Sequence, residues 1–282
     1  MFVTATQIAA YLYCPRKLFL EYVLGFKTPE SEVMLLGKLT HSTHELMNEG
    51  EEKLIKSLQR IESYSGLLTE YRKIQAKILE EILPQHRSKL RDFDLDLPAA
   101  FERIWPRVVW EAEERSMNVF QFHTKHQLLG SELWQALTPK IQAEVRVQSE
   151  SLQLRGVVDQ VKKFPDALIP IELKTGKAPA EGVWEGHRLQ VGVYLALLRS
   201  QNKNVKEGFV KYLDASALRP VIWTPFLDQE VFKIRDKVIQ LRSSQELPEF
   251  VDNKNKCKSC AFQEQCYDAK FMDERVNELK KG

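Results

Sequence analysis

The sequence has few cysteines, no long apolar run and no segment typical of a secreted or membrane protein. Four cysteines in 282 residues are too few for a disulfide-stapled secreted domain, and clustered thiols in a reducing compartment more often bind metal. No run approaches the roughly 18 apolar residues needed to span a bilayer. The N-terminal segment lacks the basic start and small-residue cleavage site of a signal peptide. We therefore expect a soluble, cytoplasmic protein.

The chain also has little net charge, no internal repeat and no low-complexity tract. Its 41 basic and 39 acidic residues give a net charge of +2, which argues neither for nor against nucleic-acid binding, because affinity follows the cations that meet phosphates. The 43% of hydrophobic and 28% of charged residues are typical of a globular protein rather than a disordered one. Composition alone leaves the function open.

The N-terminal half is predicted to be helical. Thr6 is expected to cap a first helix and Pro15 to end it, and a second helix is expected to begin near Leu36. From about residue 46 to residue 138 the chain is rich in charge and poor in glycine, and apolar residues recur every three or four positions, which is the helical period. This stretch is therefore predicted to be a helical subdomain, broken near Pro84, Pro98 and Pro106.

The periodicity changes in the C-terminal half. Residues 141–161 alternate in the way of a β-hairpin, and residues 168–174 read as a short apolar strand. The remaining elements are expected to be a helix at 187–199, strands at 205–213 and 220–226, and a helix at 228–243. Strands interleaved with helices predict an α/β core with helical additions.

Three charged residues stand out in the predicted strands. Asp159 lies in one apolar strand, while Glu172 and Lys174 are two apart on the next, so that their side chains share a face. Two converging carboxylates would form an oxygen site suited to Mg²⁺ or Mn²⁺, and a neighbouring lysine could orient the attacking water. The alternative is that these are solvated residues at strand ends, and Pro170 also fits poorly in a central strand.

The four cysteines form a second group. Cys257, Cys260 and Cys266 lie within ten residues, and Cys14, far upstream, is the cysteine left to complete a four-thiolate site. Such a site takes either a tetrahedral zinc ion or an iron–sulfur cluster, and spacing alone does not separate them. Four free thiols are disfavoured, since lysines around the C-terminal three would leave exposed, reactive cysteines.

The charged motifs together resemble a known family. The motifs are Gly156-x-Val-Asp159, Ile171-Glu-Leu-Lys174 followed by Thr-Gly-Lys, Gln190-x-x-x-Tyr194 and Gly37-x-x-x-His41. In combination they resemble the RecB-like branch of the PD-(D/E)xK nucleases, which implies a restriction-endonuclease-like mixed sheet flanked by helices.

This resemblance assigns roles to the motif residues. It implies that His41, Asp159, Glu172 and the backbone carbonyl of Leu173 bind a Mn²⁺ or Mg²⁺ ion. Lys174 would position the water, and Gln190 and Tyr194 would support the site or contact the strand. His44 is an equally placed rival of His41, and Tyr194 taken alone reads as a core residue. Possible phosphate contacts are Arg16, Lys17, Lys177 and Arg188, each of which is equally well a solvated charge.

The whole pattern has Tyr13-Cys14-Pro-Arg-Lys before the nuclease motifs and the three cysteines after them. It resembles the CRISPR-associated RecB-like exonuclease, the fourth Cas protein family. The resemblance covers residues 1–45 and 140–268. It implies that Cys14, Cys257, Cys260 and Cys266 hold a 4Fe–4S cluster. It further implies a single-stranded DNA exonuclease of 5′-to-3′ polarity that trims DNA ends for spacer acquisition beside the CRISPR adaptation integrase.

We accordingly expect four regions: N-terminal helices at 1–45, a helical insertion at 46–138, the nuclease core at 139–245 and an iron–sulfur region at 246–282. Two alternatives stay open. One is a RecB-like nuclease of DNA repair or of viral origin, although no Walker-type phosphate loop of a helicase motor occurs in the sequence. The other is an inactive iron–sulfur scaffold that binds DNA.

Overall fold

The structure is a computed structural model that describes residues 1–281, so that Gly282, the last residue of the predicted iron–sulfur region, lies outside it. Within these residues the chain forms one sheet and twelve α-helices. The strands are β1 (Val3–Thr4), β2 (Lys140–Ser149), β3 (Leu154–Lys163), β4 (Leu168–Lys174), β5 (Glu207–Tyr212) and β6 (Ala217–Ile222). The helices are α1 (Ala5–Tyr13), α2 (Pro15–Tyr22), α3 (Glu32–Ser57), α4 (Tyr64–Gln85), α5 (Arg87–Arg91), α6 (Leu97–His126), α7 (Gly130–Ala136), α8 (Glu185–Ser200), α9 (Pro225–Arg242), α10 (Lys254–Lys258), α11 (Gln263–Tyr267) and α12 (Ala269–Leu279).

The six strands form a mixed sheet in the order β1-β3-β4-β5-β6, with β2 paired to the other edge of β3. Strand β3 is antiparallel to β2 along its length, whereas β1 pairs with it only at Leu154 and Arg155, and β4 only from Gln160 to Lys163. Between these two partners, residues 156–159 of β3 have an edge that no described strand covers. The mixed sheet flanked by helices confirms the predicted α/β class.

Two large hydrophobic cores and two small ones lie within residues 1–281. The first packs α1, α8 and α9 against the sheet, with side chains such as Ile8, Val158 and Val193 fully buried. The second lies among the helices between Leu35 and Leu137. Helix α3 runs without a break across the predicted boundary at residue 45 and contributes to the second core. The predicted domain limits stay a prediction.

The prediction for the first helix was wrong in detail. The N-cap is Thr4 rather than Thr6: its hydroxyl accepts a hydrogen bond from the Gln7 amide, and the Gln7 side chain accepts one from the Thr4 amide. This reciprocal pair satisfies two amides that otherwise lack partners at a helix start. Pro15 does not end the helical region but occupies the first turn of α2, where a missing N–H costs nothing.

The prolines of the helical stretch also differ from prediction. Pro84 lies in the last turn of α4 and Pro98 in the first turn of α6, as expected for residues at helix ends, but Pro106 lies inside α6 without breaking it. The long apolar face of α6 is buried in the second core, and this packing outweighs the lost backbone hydrogen bond. None of the helices in residues 1–281 has the length and apolar character needed to cross a membrane.

Two strand predictions need a comment. Strand β6 ends at Ile222 rather than at residue 226, because Thr224 caps α9 and Pro225 begins it. Pro170 lies inside β4, yet the pairing of β4 with β5 starts only at Ile171. On the side of β4 that faces β5, Gly208 leaves space for Pro170, since a Cβ on residue 208 would lie 2.9 Å from the Pro170 carbonyl oxygen.

Candidate metal and catalytic site

The pairing of β3 with β4 brings the three charged residues together. The ladder stops at Gln160 and Ile171, and beyond it the Asp159 carboxylate accepts a hydrogen bond from the Leu173 amide at 2.7 Å. The Nζ atom of Lys174 lies 2.6 Å from Oε1 of Glu172. Three side chains from two strands thus meet where the strands part.

Helix α8 fixes Glu172 from above the sheet. Gln190 donates to Oε1 of Glu172 at 2.6 Å, and the Tyr194 hydroxyl donates to Oε2 at 2.8 Å. The side-chain oxygen of Gln190, Oε1, also accepts a hydrogen bond from Lys174 Nζ at 3.1 Å. Gly156 lets the helix approach, since a Cβ there would lie 2.8 Å from the Tyr194 ring. Glu172 is 2% exposed, and both of its oxygens are held in place.

His41, on α3, faces the carboxylates from the other side. Its Nδ1 atom lies 3.5 Å from Asp159 Oδ1. His44, the rival, points elsewhere: it is 1% exposed and contacts the Glu111 carboxylate inside the helical subdomain. Residues three apart on a helix lie about 60° apart around its axis, and with α3 packed as it is, only His41 reaches the site.

Glu144 completes a group that sequence reasoning missed. One ligand atom each of His41, Glu144 and Asp159 lies within 4.8 Å of the others. The hairpin register pairs Ala143 with Gln160 and Val145 with Val158, so Glu144 lies across from Asp159. Its backbone has a φ of 51°, a left-handed conformation that costs energy for a residue with a side chain and that is often found at functional sites.

The electrostatics of the site show an excess of negative charge. Burial and the neighbouring Glu172 raise the pKa of Asp159 well above its ordinary value. Burial also raises the pKa of Glu144, with Glu45 and Glu172 adding to it. Among the lysines and arginines of residues 1–281, only the partly buried Lys174 forms an ion pair with one of these three acidic groups, so the cluster is electrically incomplete.

The same site favours a neutral imidazole. Burial, followed by the charges of His44 and Lys174, lowers the pKa of His41 to about 4, so that a ring nitrogen is free to bind metal at neutral pH. Carboxylate oxygens and one imidazole suit a divalent cation such as Mn²⁺ or Mg²⁺. The donor set therefore fits the predicted ion. The metal-ligand roles of Glu172 and of the Leu173 carbonyl stay predictions.

The site opens into a cavity of about 820 Å³. Its floor is the uncovered edge of β3, from Gly156 to Asp159, and its walls are α8 and His41. On the far side it reaches Arg146 of β2 and Arg155 of β3, next to the start of α1. A chain-like substrate could therefore lie across the hairpin with its end at the carboxylates.

The four cysteines line a separate cavity between the two ends of the chain. Cys14 caps α2 by accepting a hydrogen bond from the Lys17 amide at 3.3 Å, and Cys266 accepts one from the Arg16 guanidinium at 3.1 Å. Among residues 1–281, no three cysteine sulfurs lie within 4.8 Å of one another. Four thiolates about 2.3 Å from one zinc ion would lie about 3.8 Å apart.

The four possible phosphate contacts lie away from the carboxylates, and one of them is buried. Arg16 is buried, and it donates to the Pro248 and Cys266 carbonyls at 2.8 and 3.2 Å, so it is unavailable to DNA. Arg188 forms a two-point ion pair with a glutamate of α9 at 2.8 and 2.9 Å, and Lys17 lies 3.0 Å from a glutamate one turn on. Lys177 lines a different cavity. None of the four lines the cavity at the carboxylates.

Comparison with known proteins agrees with this arrangement. A family model described as the PD-(D/E)XK nuclease superfamily matches residues 3–267. A CRISPR-associated exonuclease Cas4/endonuclease Cas1 fusion of Leptospira interrogans is 29% identical over 147 residues, which cover 49% of this chain and 27% of that protein. The DNA replication ATP-dependent helicase/nuclease JHS1 of Arabidopsis thaliana is 23% identical over 286 residues, covering 94% of this chain and 20% of that protein. The chain thus spans between a fifth and a third of the length of these curated relatives. A solved structure, that of SSO0001, aligns with a TM-score of 0.34 and 16% identity, covering 79% of this chain and 95% of that one, a likeness too slight to argue from.

Proposed function

Because the chain belongs to the PD-(D/E)XK nuclease superfamily, we propose that it is a divalent-metal-dependent deoxyribonuclease that trims single-stranded DNA ends in the 5′-to-3′ direction. The observation that carries the proposal is the meeting of Asp159, Glu172 and Lys174 with His41 at one cavity. Carboxylates buried with too little positive charge are costly unless a cation joins them. A phosphodiester chain would reach the site through this cavity.

His41, Asp159 and Glu172, with the Leu173 carbonyl, would hold the ion, and Glu144 lies beside it. Bound there, the ion would polarise the phosphate and lower the pKa of water. The protein's own part is orientation. The Leu173 amide donates a hydrogen bond to Asp159 Oδ2 at 2.7 Å. This bond holds the Asp159 carboxylate in position before the substrate arrives.

Lys174 would position the attacking water and offset charge that develops on the phosphate. Its Nζ atom is held between Glu172 and Gln190, at 2.6 and 3.1 Å. Burial lowers the pKa of Lys174, but Glu172 and Asp159 more than offset this and raise it overall, so the group carries its charge at neutral pH. A fixed charge in a sheltered site stabilises a transition state without reorganising.

We propose further that the four cysteines hold a 4Fe–4S cluster rather than one zinc ion. The lining of one cavity by all four cysteines supports a shared four-thiolate site, and the resemblance to the CRISPR-associated RecB-like exonucleases favours the cluster over zinc. Cys14 and the three C-terminal cysteines come from opposite ends of the chain, so the cluster would tie those ends together.

For the biological setting we propose end processing beside the CRISPR adaptation integrase, supported by the similarity to the Leptospira fusion protein. A second setting, DNA replication or repair, is supported by the similarity to JHS1, which extends over 94% of the chain. Reconstitution with an adaptation integrase separates the two: only the first setting predicts that the nuclease alters the ends of integrated DNA.

The test of the activity is a nuclease assay with 5′- and 3′-labelled single-stranded DNA in Mn²⁺. Asp159→Asn should abolish cleavage, and Lys174→Ala should lose at least about a hundredfold in rate, the usual scale for one preorganised group. Asp166→Asn, an exposed residue in the turn after β3, is the matched control and should cut normally. DNA binding should survive in all three, since it rests on cations elsewhere. Wild-type cleavage by folded Asp159→Asn would refute the site.

A further inference from the structure

An exposed face of the β2–β3 hairpin continues the cavity away from the carboxylates. Arg146 lies directly across from Val157, and Gln148 across from Arg155. Side chains paired across antiparallel strands, and those two apart on one strand, lie on the same side of the sheet. All four are exposed, whereas the alternate residues Val147, Leu154 and Val158 are buried. We call this surface, made of Arg146, Gln148, Arg155 and Val157, the arginine face.

The two arginines of this face have no acidic partner in the part of the chain that the structure describes. Within residues 1–281 neither guanidinium has a carboxylate within 4.0 Å, whereas Arg107, Arg115 and Arg188 each hold one. Exposed guanidinium groups without partners keep their donors free for a ligand, and their fork geometry matches phosphate oxygens. The face therefore carries two positive charges whose donors are open to solvent.

We propose that the arginine face holds the phosphodiester backbone of the substrate strand while the end of that strand lies at the metal site. The inference rests on the proposed nuclease function and names the path of its substrate. Arg155 is four residues from Asp159 along β3, or roughly 13 Å at strand rise, so the contacts fall a short stretch of nucleotides from the carboxylates. One cavity, lined by both arginines and by Asp159 and Glu172, joins the two positions.

Charge complementarity selects a nucleic-acid strand as the occupant. The cation-rich end of the cavity suits phosphates along the backbone, and its carboxylate end suits a metal-bridged phosphate. Val157, 40% exposed, offers an apolar surface between the two arginines for a sugar or base. Contacts of this kind read no bases, so the face should bind single strands of different sequence about equally.

The experiment measures binding of a fluorescein-labelled oligothymidine by anisotropy at several salt concentrations, in EDTA so that nothing is cleaved. Arg146→Gln and Arg155→Gln together should raise Kd at least about tenfold and reduce the salt slope by about 1.4, since each lost phosphate contact on a single strand is worth about 0.7. The lysine versions of both should recover most of the slope because they keep the charge. Arg72→Gln, on the exposed side of α4, removes the same charge elsewhere and is the control.

A wild-type Kd and slope in the doubly substituted protein would overturn the proposal, as would an equal loss in Arg72→Gln. Mn²⁺ affinity, measured by calorimetry, should be unchanged in the arginine variants because neither residue is a ligand. The two proposals can fail separately. If the wild-type protein cuts no DNA under any condition, but the arginine variant still binds DNA more weakly, the nuclease function is overturned and the binding surface is supported.

Discussion

Arg115 offers the sharpest test of how the helical subdomain supports the site. Its side chain is fully buried in α6 and lies between two carboxylates, with Nη2 2.5 Å from Glu111 and Nη1 against Glu51. Nη2 also donates to Asn48 at 2.8 Å, and Nε donates to Glu111 at 2.6 Å. The guanidinium fork is thus fully used, and two acidic side chains depend on it for charge balance.

The network reaches the candidate active site through its neighbours. Glu111 also contacts His44 of α3 and accepts a hydrogen bond from Gln160 of β3 at 2.6 Å. His44 is three residues from His41, and Gln160 adjoins Asp159. The buried ion network therefore ties the two elements that carry metal-site side chains to α6, and this gives the helical subdomain a structural task.

We predict that Arg115→Met lowers the free energy of unfolding by about 3–5 kcal/mol at neutral pH, because the methionine keeps most of the volume but leaves two carboxylates buried without their cation. Burial opposes ionisation of Glu111, but His44 and Arg115 outweigh it and hold its pKa well below the ordinary value. A depressed carboxyl pKa stabilises the fold above about pH 4.3, the unfolded value, and this contribution is lost as pH falls through the folded pKa. The defect of the variant should therefore be largest at neutral pH and shrink in acid.

Urea denaturation followed by circular dichroism measures the difference, and equal slopes against urea show that the same surface is exposed. Arg72→Met is the matched control. Arg72 pairs with Glu113 at 2.9 Å, and both side chains are 44% exposed, so its loss should cost no more than about 1 kcal/mol. An Arg115→Met protein as stable as the control at neutral pH would refute the reasoning.

Two further predictions concern bound groups. Cys14→Ala should lose most of the iron and lower Tm more than it lowers activity, because the cluster closes a loop of nearly the whole chain. Metal analysis and thermal melting measure the two effects. Stoichiometric zinc in colourless wild-type protein would contradict the cluster. Glu144→Gln should raise the calorimetric Kd for Mn²⁺ by on the order of ten- to a hundredfold, the scale for groups that tune a metal site. Glu150→Gln, exposed just beyond the same strand, is its control, and equal Mn²⁺ affinities would remove Glu144 from the site.

Local periodicity was enough to predict the strand that carries the central motif. The apolar run at 168–174 matches β4 residue for residue. The two-residue period of a strand places Glu172 and Lys174 on one face, and the structure brings their charged groups within 2.6 Å. The four-residue spacing of Gln190 and Tyr194 likewise puts both on one face of α8, where both reach Glu172. These features depend only on neighbours along the chain.

Other features depended on contacts between distant segments. His41 and His44 are equivalent in sequence, and only the rotation of α3 against β3 separates them, turning one to Asp159 and the other to Glu111. In the sequence Arg16 is a possible free cation. In the structure the C-terminal tail, more than 230 positions away, covers it.

The sequence by itself determined the residue types of the site and the elements on which they stand, because hydrophobic period and capping act over a few residues. Tertiary structure alone decided that Glu144 joins the metal group, that Arg146 and Arg155 border its cavity, and that β1 and β4 leave an open edge between them. Each of these follows from strand register and helix packing. Those are set by burial summed over the whole fold, which no local pattern records.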